Sequence, residues 1–235
     1  MRSPNRDTNK ISIIIPVLNE EKHILATIFT AQKSINTEII VVDAGSRDKT
    51  CDIALGTGVK VIASERGRAI QMNTGAAVAS GDILLFLHAD TLLPPKFDDM
   101  VREMLQRPAV VAGAFQLKIN GTSWGLRLVE WGVDVRSKYF QLPYGDQAIF
   151  FKSEIFNKID GFPELPIMED FELVRCLKSI GKIAIIPAPV LTSGRRWLLR
   201  GILRTTLINQ IIIIGYFIGV SPTRLANWYR GRKLR

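Results

Sequence analysis

The sequence predicts an α/β protein: a mostly parallel sheet with helices on both faces and a basic helical tail. Three observations predict it. Short runs rich in Ile, Val and Leu ("ISIII", "EIIVVD", "VKVIA", "DILLFL") alternate with helix-like stretches through the first half of the chain. The connections between them are short, as in right-handed βαβ units. Hydrophobic residues make up 47% of 235, enough to fill the core of one large domain and too many for disorder.

Each element has a local reason. Ile11–Ile15 reads as a strand stopped by Pro16, with Asn19 capping a helix that carries Glu20 and Glu21 in its first turn and runs to about Ser34. "EIIVVD" is a second buried strand ending on Asp43. "GSRDKTCDIAL" turns into a short helix, and "VKVIAS" is a third strand. In "RGRAIQMNTGAAVAS" the small residues Gly75, Ala76, Ala77 and Ala79 permit a helix to pack closely on a sheet. "DILLFL" is the fourth strand, and it delivers His88, Ala89 and Asp90. A helix follows at Phe97–Gln106, then a strand over "AVVAGAFQLKI" and a helical segment at 123–138. "PYGDQAIFFKSEIF" gives a loop, a strand and a helix start. "PIMEDFELVRCLKSIG" is a helix closed by Gly181. "KIAIIP" and "PVLTSG" read as two short strands. No repeat or low-complexity linker divides the chain.

Charge is unevenly spread. The net charge is +9, yet 12 of the 31 basic residues follow Glu172, where no acid remains. The body is slightly acidic, and the tail seeks phosphate as nucleotide, nucleic acid or anionic lipid. Cys51 and Cys176 lack metal-ligand spacing and read as packing or incidental thiols of a reducing compartment. "MRSPNRDTNK" has no apolar core of a secretory signal, so the expected location is cytoplasmic.

In an open parallel sheet, ligands sit outside the carboxyl ends of the strands. The first strand ends in Pro16-Val17-Leu18-Asn19-Glu20, the second in Asp43-Ala44-Gly45-Ser46 and the fourth in His88-Ala89-Asp90. Crowded carboxylates at such an edge call for a hard cation, Mn²⁺ or Mg²⁺, which suits diphosphate oxygens as well. Asp43 could instead accept a hydrogen bond from a base or ribose. The glycine-rich dinucleotide fingerprint and the P-loop are absent, which weakens NAD-enzyme and NTPase readings. Arg66 and Arg68 suit either phosphate or a solvated turn.

"SIIIPVLNEE", "IIVVDAGSRDKT" and "GDILLFLHADT", at these separations, resemble family-2 glycosyltransferases of the GT-A fold, with its Rossmann-like sheet. The resemblance implies a nucleotide-diphosphate-sugar donor held by Pro16, Leu18, Asn19, Glu20, Asp43, Gly45, Arg68, His88 and Ala89. The metal motif, usually D-x-D, is here H-A-D, which leaves Asp90 as the metal-binding acid and His88 as second ligand, ribose contact or spacer. The Glu-Asp pair of the family matches Glu169 and Asp170, with Asp170 as catalytic base and Glu169 positioning it. Their residue-level reading is helix capping. Gly145, Asp146 and Gln147 match the acceptor side. In "TSGRRW", Arg195 and Arg196 suit phosphate and Trp197 a sugar face or a lid. The set "LHADT", "PYGDQAIF", "PIMEDFELVRCLK" and "TSGRRW" is similar to a small bacterial group labelled arsenosugar-biosynthesis glycosyltransferase-like. That implies a small acceptor, while related members use polyprenyl-phosphate acceptors.

The division implied is a GT-A domain at 1–197 and a basic helical extension at 198–235. Ile211–Val220, the longest apolar run of the tail, is too short to span a bilayer, which takes roughly 20 residues. Arg196, Arg200 and Arg204 recur every fourth residue, so one helix would align them. Such a helix suits an anionic membrane surface on the inner face of the cytoplasmic membrane, the protein body or a homodimer partner. Sparse aromatic interleaving argues against nucleic acid. Two other classes stay open: a sugar nucleotidyltransferase, whose basic glycine-rich loop is replaced here by acidic "PVLNEE", and a non-catalytic membrane-binding module.

Overall fold

The structure, a computed structural model, describes residues 9–230. Arg232, Lys233 and Arg235 of the basic tail, and the polar stretch 1–8, lie outside the described residues.

In chain order the elements begin with β1 (Ile11–Val17), α1 (Ile24–Ala31), β2 (Thr37–Asp43), α2 (Thr50–Gly56), β3 (Lys60–Ala63) and α3 (Arg68–Ala77). Next come β4 (Ile83–Phe86), β5 (Thr91–Leu92), α4 (Phe97–Leu105), β6 (Val110–Ile119) and α5 (Trp124–Phe140). A 3₁₀ turn at Gly145–Gln147 leads into β7 (Phe150–Lys152), α6 (Ser153–Lys158), α7 (Glu169–Ile180) and β8 (Lys182–Thr192). The tail forms α8 (Arg195–Arg200), α9 (Ile202–Phe217) and α10 (Pro222–Arg230).

The eight strands form one sheet in the order β3-β2-β1-β4-β7-β6-β8-β5. The early βαβ units give the expected parallel half, β3-β2-β1-β4. The short β7 then runs antiparallel to both β4 and β6, and β5 runs antiparallel to β8. β1 is buried on both faces: Ile11, Ile13 and Ile15 join one core cluster, and Ile14 joins the other with Ile40, Val42 and Phe86. The close approach of α3 depends on Gly75, where a Cβ would stand 2.5 Å from the Ile14 side chain and 2.9 Å from that of Val42.

Four local expectations are corrected. Pro16 lies inside β1 rather than ending it. Ile14 O accepts the Leu87 N–H and Val17 O the Ala44 N–H, so the missing N–H of Pro16 faces β4, which has already ended. Asn19 does not cap α1, which starts at Ile24 with no acid in its first turn. Asn19 takes the left-handed conformation (φ 56°) and its Oδ1 accepts the Arg47 N–H instead. "KIAIIP" and "PVLTSG" form one strand, β8, paired in parallel with β6. The register shifts between Phe115 and Gln116, where Pro187 and Ala188 are passed over, because prolines cannot serve both edges of a ladder. The tail is not one helix. Gly201, at φ 84°, breaks it between Arg200 and Ile202, so Arg204 does not continue the row of Arg196 and Arg200.

α8 runs across residue 197, and the inner sides of α9 and α10 pack on the body. Ile212 and Leu225 cluster with Met168 and Phe171 beside the start of α7. No helix among the described residues is long and apolar enough to cross a membrane.

Candidate active site

β1, β2 and β4 are parallel neighbours, so their carboxyl ends open on one edge of the sheet. The register sets Asp43 beside Val17. Gln71, buried on α3, ties these ends together by donating to both Val17 O and Val42 O. The 43–46 loop joins the β1 end as Ser46 Oγ accepts the Asn19 N–H.

Asp43 itself is buried and spends its carboxylate on this loop, accepting from the Gly45 and Ser46 N–H groups. Burial pushes its carboxyl upward, but those bonds, with the Ser46 hydroxyl and Cys51 thiol, hold it below the ordinary value. Cys51 and Cys176 are both free thiols. Leu18 is exposed at the sheet edge and Pro16 half-buried beneath it. Ala89 is buried, its carbonyl taken by Thr27 Oγ1.

Glu20 and Asp90 meet through a third residue. Arg195 Nη2 lies 2.5 Å from Glu20 Oε1 and 3.4 Å from Asp90 Oδ2. Glu20 Oε2 is hidden from solvent with no hydrogen-bond partner. The two acids, from the ends of β1 and β4, thus share one cation supplied by the tail. Asp90 is held further because its carbonyl accepts the Ser193 N–H.

A second group lies around the 145–147 turn. The Gly145 N–H donates to Asp170 Oδ2 at 2.9 Å, while Asp170 Oδ1 accepts the Phe171 N–H. A Cβ on Gly145 would stand 3.0 Å from His88 Nε2 and 3.4 Å from Asp170 Oδ2, so the turn sits between these side chains. His88 Nε2 has no partner; burial and the Arg68 charge push the imidazole down to about 3, which keeps it neutral. Asp146 Oδ1 is likewise hidden and unpartnered, and its carboxyl is pushed up to about 6 by burial, against the pull of Arg136 and with the push of Asp170. Both side chains are half-buried, so these atoms lie at the floor of a cleft rather than in a closed core.

Glu169 is buried at the head of α7, 3.3 Å from Arg68 Nη1 on the first turn of α3. Burial raises its carboxyl and Arg68 opposes that rise. Met168 (φ 71°) and Ala148 (φ 49°), both left-handed, flank Glu169–Asp170 and the turn; such backbone is stored where the surroundings fix it. Arg196 lies over the Tyr229 ring at 3.9 Å; burial and the charges of Arg200 and Arg68 lower it to about 10. Mutual repulsion of this kind is relieved by an anion. Trp197 packs against the core with its Nε1 buried and unpartnered.

Gln147 departs from the expected acceptor-side place. It is buried, accepting from Ser137 Oγ, Arg136 and the Tyr144 N–H and donating to Phe115 O, so its amide oxygen is fully engaged in shaping the turn. Two contributors escaped the sequence reading. Gln71 was visible only as a polar residue among the small apolar ones of α3. Arg136, stacked on Tyr144 at 3.4 Å, carried no signal beyond a charge on a helix.

Among the described residues no group of three or more His, Cys, Asp or Glu side chains is disposed to hold a metal. The donor set present still fits a diphosphate-bound Mg²⁺ or Mn²⁺, which takes one or two carboxylates and completes its shell with phosphate and water. Asp90 and Glu20, through its Oε1, already share the Arg195 cation here, and Glu20 Oε2 is left without a partner, so this corner selects positive charge.

The fold and this edge of acids define a GT-A-type α/β protein. Residues 12–161 match the model of the family described as Glycosyl transferase family 2, and the chain belongs to that family. The 4,4'-diaponeurosporenoate glycosyltransferase of Staphylococcus haemolyticus is 36% identical over 95 residues, covering 37% of this chain and 25% of that protein. The dolichol-phosphate mannosyltransferase of Pyrococcus furiosus is 32% identical over 112 residues, covering 44% of this chain and 32% of that protein. The chain thus matches only a quarter to a third of the length of these curated relatives. In fold it is similar to the mannosyltransferase PcManGT from Pyrobaculum calidifontis, solved in complex with GDP-Man and Mn²⁺, with TM-score 0.70 and 18% identity over 96% of this chain and 70% of that one.

Proposed function

We propose that this chain transfers a sugar from a nucleotide-diphosphate sugar to an acceptor, with inversion, in a metal-assisted reaction. One observation carries the reading: Glu20 and Asp90, far apart in sequence, close on one cation, and His88, two residues before Asp90, lies against the turn that Asp170 grips. Mn²⁺ or Mg²⁺, when bound, would neutralise the departing diphosphate in place of a general acid. Asp90, with Glu20 beside it, would hold the ion. Asp170 takes the proton of the acceptor hydroxyl as that oxygen attacks the anomeric carbon. Its bond to the Gly145 N–H fixes the carboxylate, and the Glu169–Arg68 pair braces the head of α7. Neutral His88 offers a lone pair toward the 145–147 turn, suited to a ribose or acceptor hydroxyl. Arg68 and Arg196 supply charge for phosphate, and Asp146 faces the acceptor. Residues 198–235 serve as an extension of a domain at 1–197.

Two acceptor classes fit. A polyprenyl phosphate suits the basic tail and matches the printed name of the Pyrococcus relative. A small, arsenic-containing acceptor follows from the resemblance to the arsenosugar group.

The test is a screen of nucleotide-sugars for thermal stabilisation with and without Mn²⁺. At least one donor should raise Tm, more strongly with the ion. Asp90→Ala should abolish the ion-dependent part, and Asp170→Asn should bind donor but lose turnover. No response to any donor, or normal turnover in Asp170→Asn, overturns the reading.

A further inference from the structure

Soluble helices ordinarily turn charged residues outward. α5 and α9 turn large apolar side chains outward as well. On α5, Trp124, Leu128 and Trp131 are exposed, spaced four and three apart; on α9, Leu203, Leu207 and Ile211 are exposed at steps of four. Trp124 is 79% exposed and Leu203 87%. These spacings set each trio along one side of its helix. The inner side of α9 is separately occupied, by Thr205, Ile212 and Gly215. The two helices adjoin where α9 begins: a Cβ on Gly125 would stand 3.1 Å from Ile202 Cδ1.

The charges at the junction of α8 and α9 have one sign. Arg200 and Arg204 are exposed at the α8–α9 junction, and no acid follows Glu172. The acids of α5, Glu130 and Asp134, are already paired with Arg127 and Lys138. A second copy docked about a two-fold axis through α9 would set Arg200 and Arg204 near their own counterparts with no tail acid to answer them. An anionic lipid surface answers both properties, taking the apolar side chains below its headgroups and the guanidiniums among them.

We propose that the outward faces of α5 and α9, flanked by Arg200 and Arg204, form a docking surface for an anionic lipid bilayer, with the helices lying along the headgroup plane. Arg196 and Trp197 lie on α8, directly before α9 in the chain, so docking would bring a lipid-linked phosphate toward the candidate site. That consequence rests on the transfer reading; the docking does not.

The test is co-sedimentation of the full chain with vesicles of phosphatidylcholine alone and with 30% phosphatidylglycerol, at low and high salt. Binding should be at least ~10-fold stronger to the anionic vesicles and weaken with salt. Trp131→Glu with Leu203→Glu should reduce it ~10-fold or more, and Arg200→Gln with Arg204→Gln should remove its salt dependence. All four positions are exposed, and an unchanged circular dichroism spectrum and melting temperature confirm folding. Equal binding to neutral and anionic vesicles, or wild-type binding by the Glu variant, overturns the proposal. So does sedimentation as a dimer that Leu203→Glu dissociates, which would assign the face to self-association. Donor-induced thermal stabilisation, measured in the same variants, separates failure of docking from failure of the transfer reading.

Discussion

Replacing Asp146 by Asn should stabilise the free protein at neutral and alkaline pH. The carboxyl has an ordinary value of 3.8, and burial lifts it to about 6 in the folded chain. Between those values the native state binds more protons than the unfolded chain. Stability therefore falls as pH rises from about 4 to about 6, and the full penalty persists above that range. The shift corresponds to roughly 2 pH units at ~1.4 kcal/mol each, an upper bound of about 3 kcal/mol. Partial contact with solvent at the cleft floor reduces this to about 1–2 kcal/mol. Asn keeps the shape and removes the charge. At pH 8 the variant should melt higher by a few degrees, on the order of 2–8 °C for a chain of this size. At pH 4.5 most of that gain should vanish, because wild-type Asp146 is by then largely protonated. Thermal or urea unfolding of both proteins at the two pH values measures it. An equal gain at both pH values, or a loss at pH 8, would refute the reasoning.

Glu38 behaves oppositely. Despite its burial, hydrogen bonds from Ser12, Ser80 and Lys10 hold its carboxyl down to about 2. Its stabilisation is complete above about 4.5 and is lost as pH falls toward 2, so Glu38→Gln should cost about 1–3 kcal/mol at pH 7 and nearly nothing near pH 2, as read from urea midpoints. Gln71→Leu should cost about 1–3 kcal/mol by removing the two buried bonds that tie the Val17 and Val42 carbonyls together, although Val17 O keeps the Ala44 N–H. It should also weaken donor binding in calorimetry by loosening the ends of β1 and β2; a variant as stable as wild type would remove Gln71 from that role.

The strands of the parallel half were legible because Ile11–Ile15, Ile39–Val42 and Ile83–Leu87 are buried on both faces and therefore apolar throughout, the buried Ser12 excepted. The start of α7 was legible because Glu169 and Asp170 precede an amphipathic run. What escaped depends on partners distant in the chain. Asn19 has the chemistry of a cap, yet the Arg47 N–H claims it from 28 residues away. Nothing in "PYGDQAIFF" announces that β7 runs antiparallel, since a three-residue strand has too few alternations to report its direction. The meeting of Arg195 with Glu20 spans 175 residues, and no periodicity encodes such a pair. Gln147 looked available in sequence because its partners, Ser137 and Phe115, are set by tertiary packing alone.

The Arg195 bridge makes the acidic corner electrically self-sufficient. Glu20 and Asp90 need no imported counter-ion to coexist, so chelators should leave the fold intact. On the transfer reading, a divalent ion engaging Asp90 would do so by exchange: the guanidinium of Arg195 would yield its place, and its positive charge, anchored at the first residue of α8, would be free to follow the phosphates. Loading the site and moving the front of the tail would thus be one event.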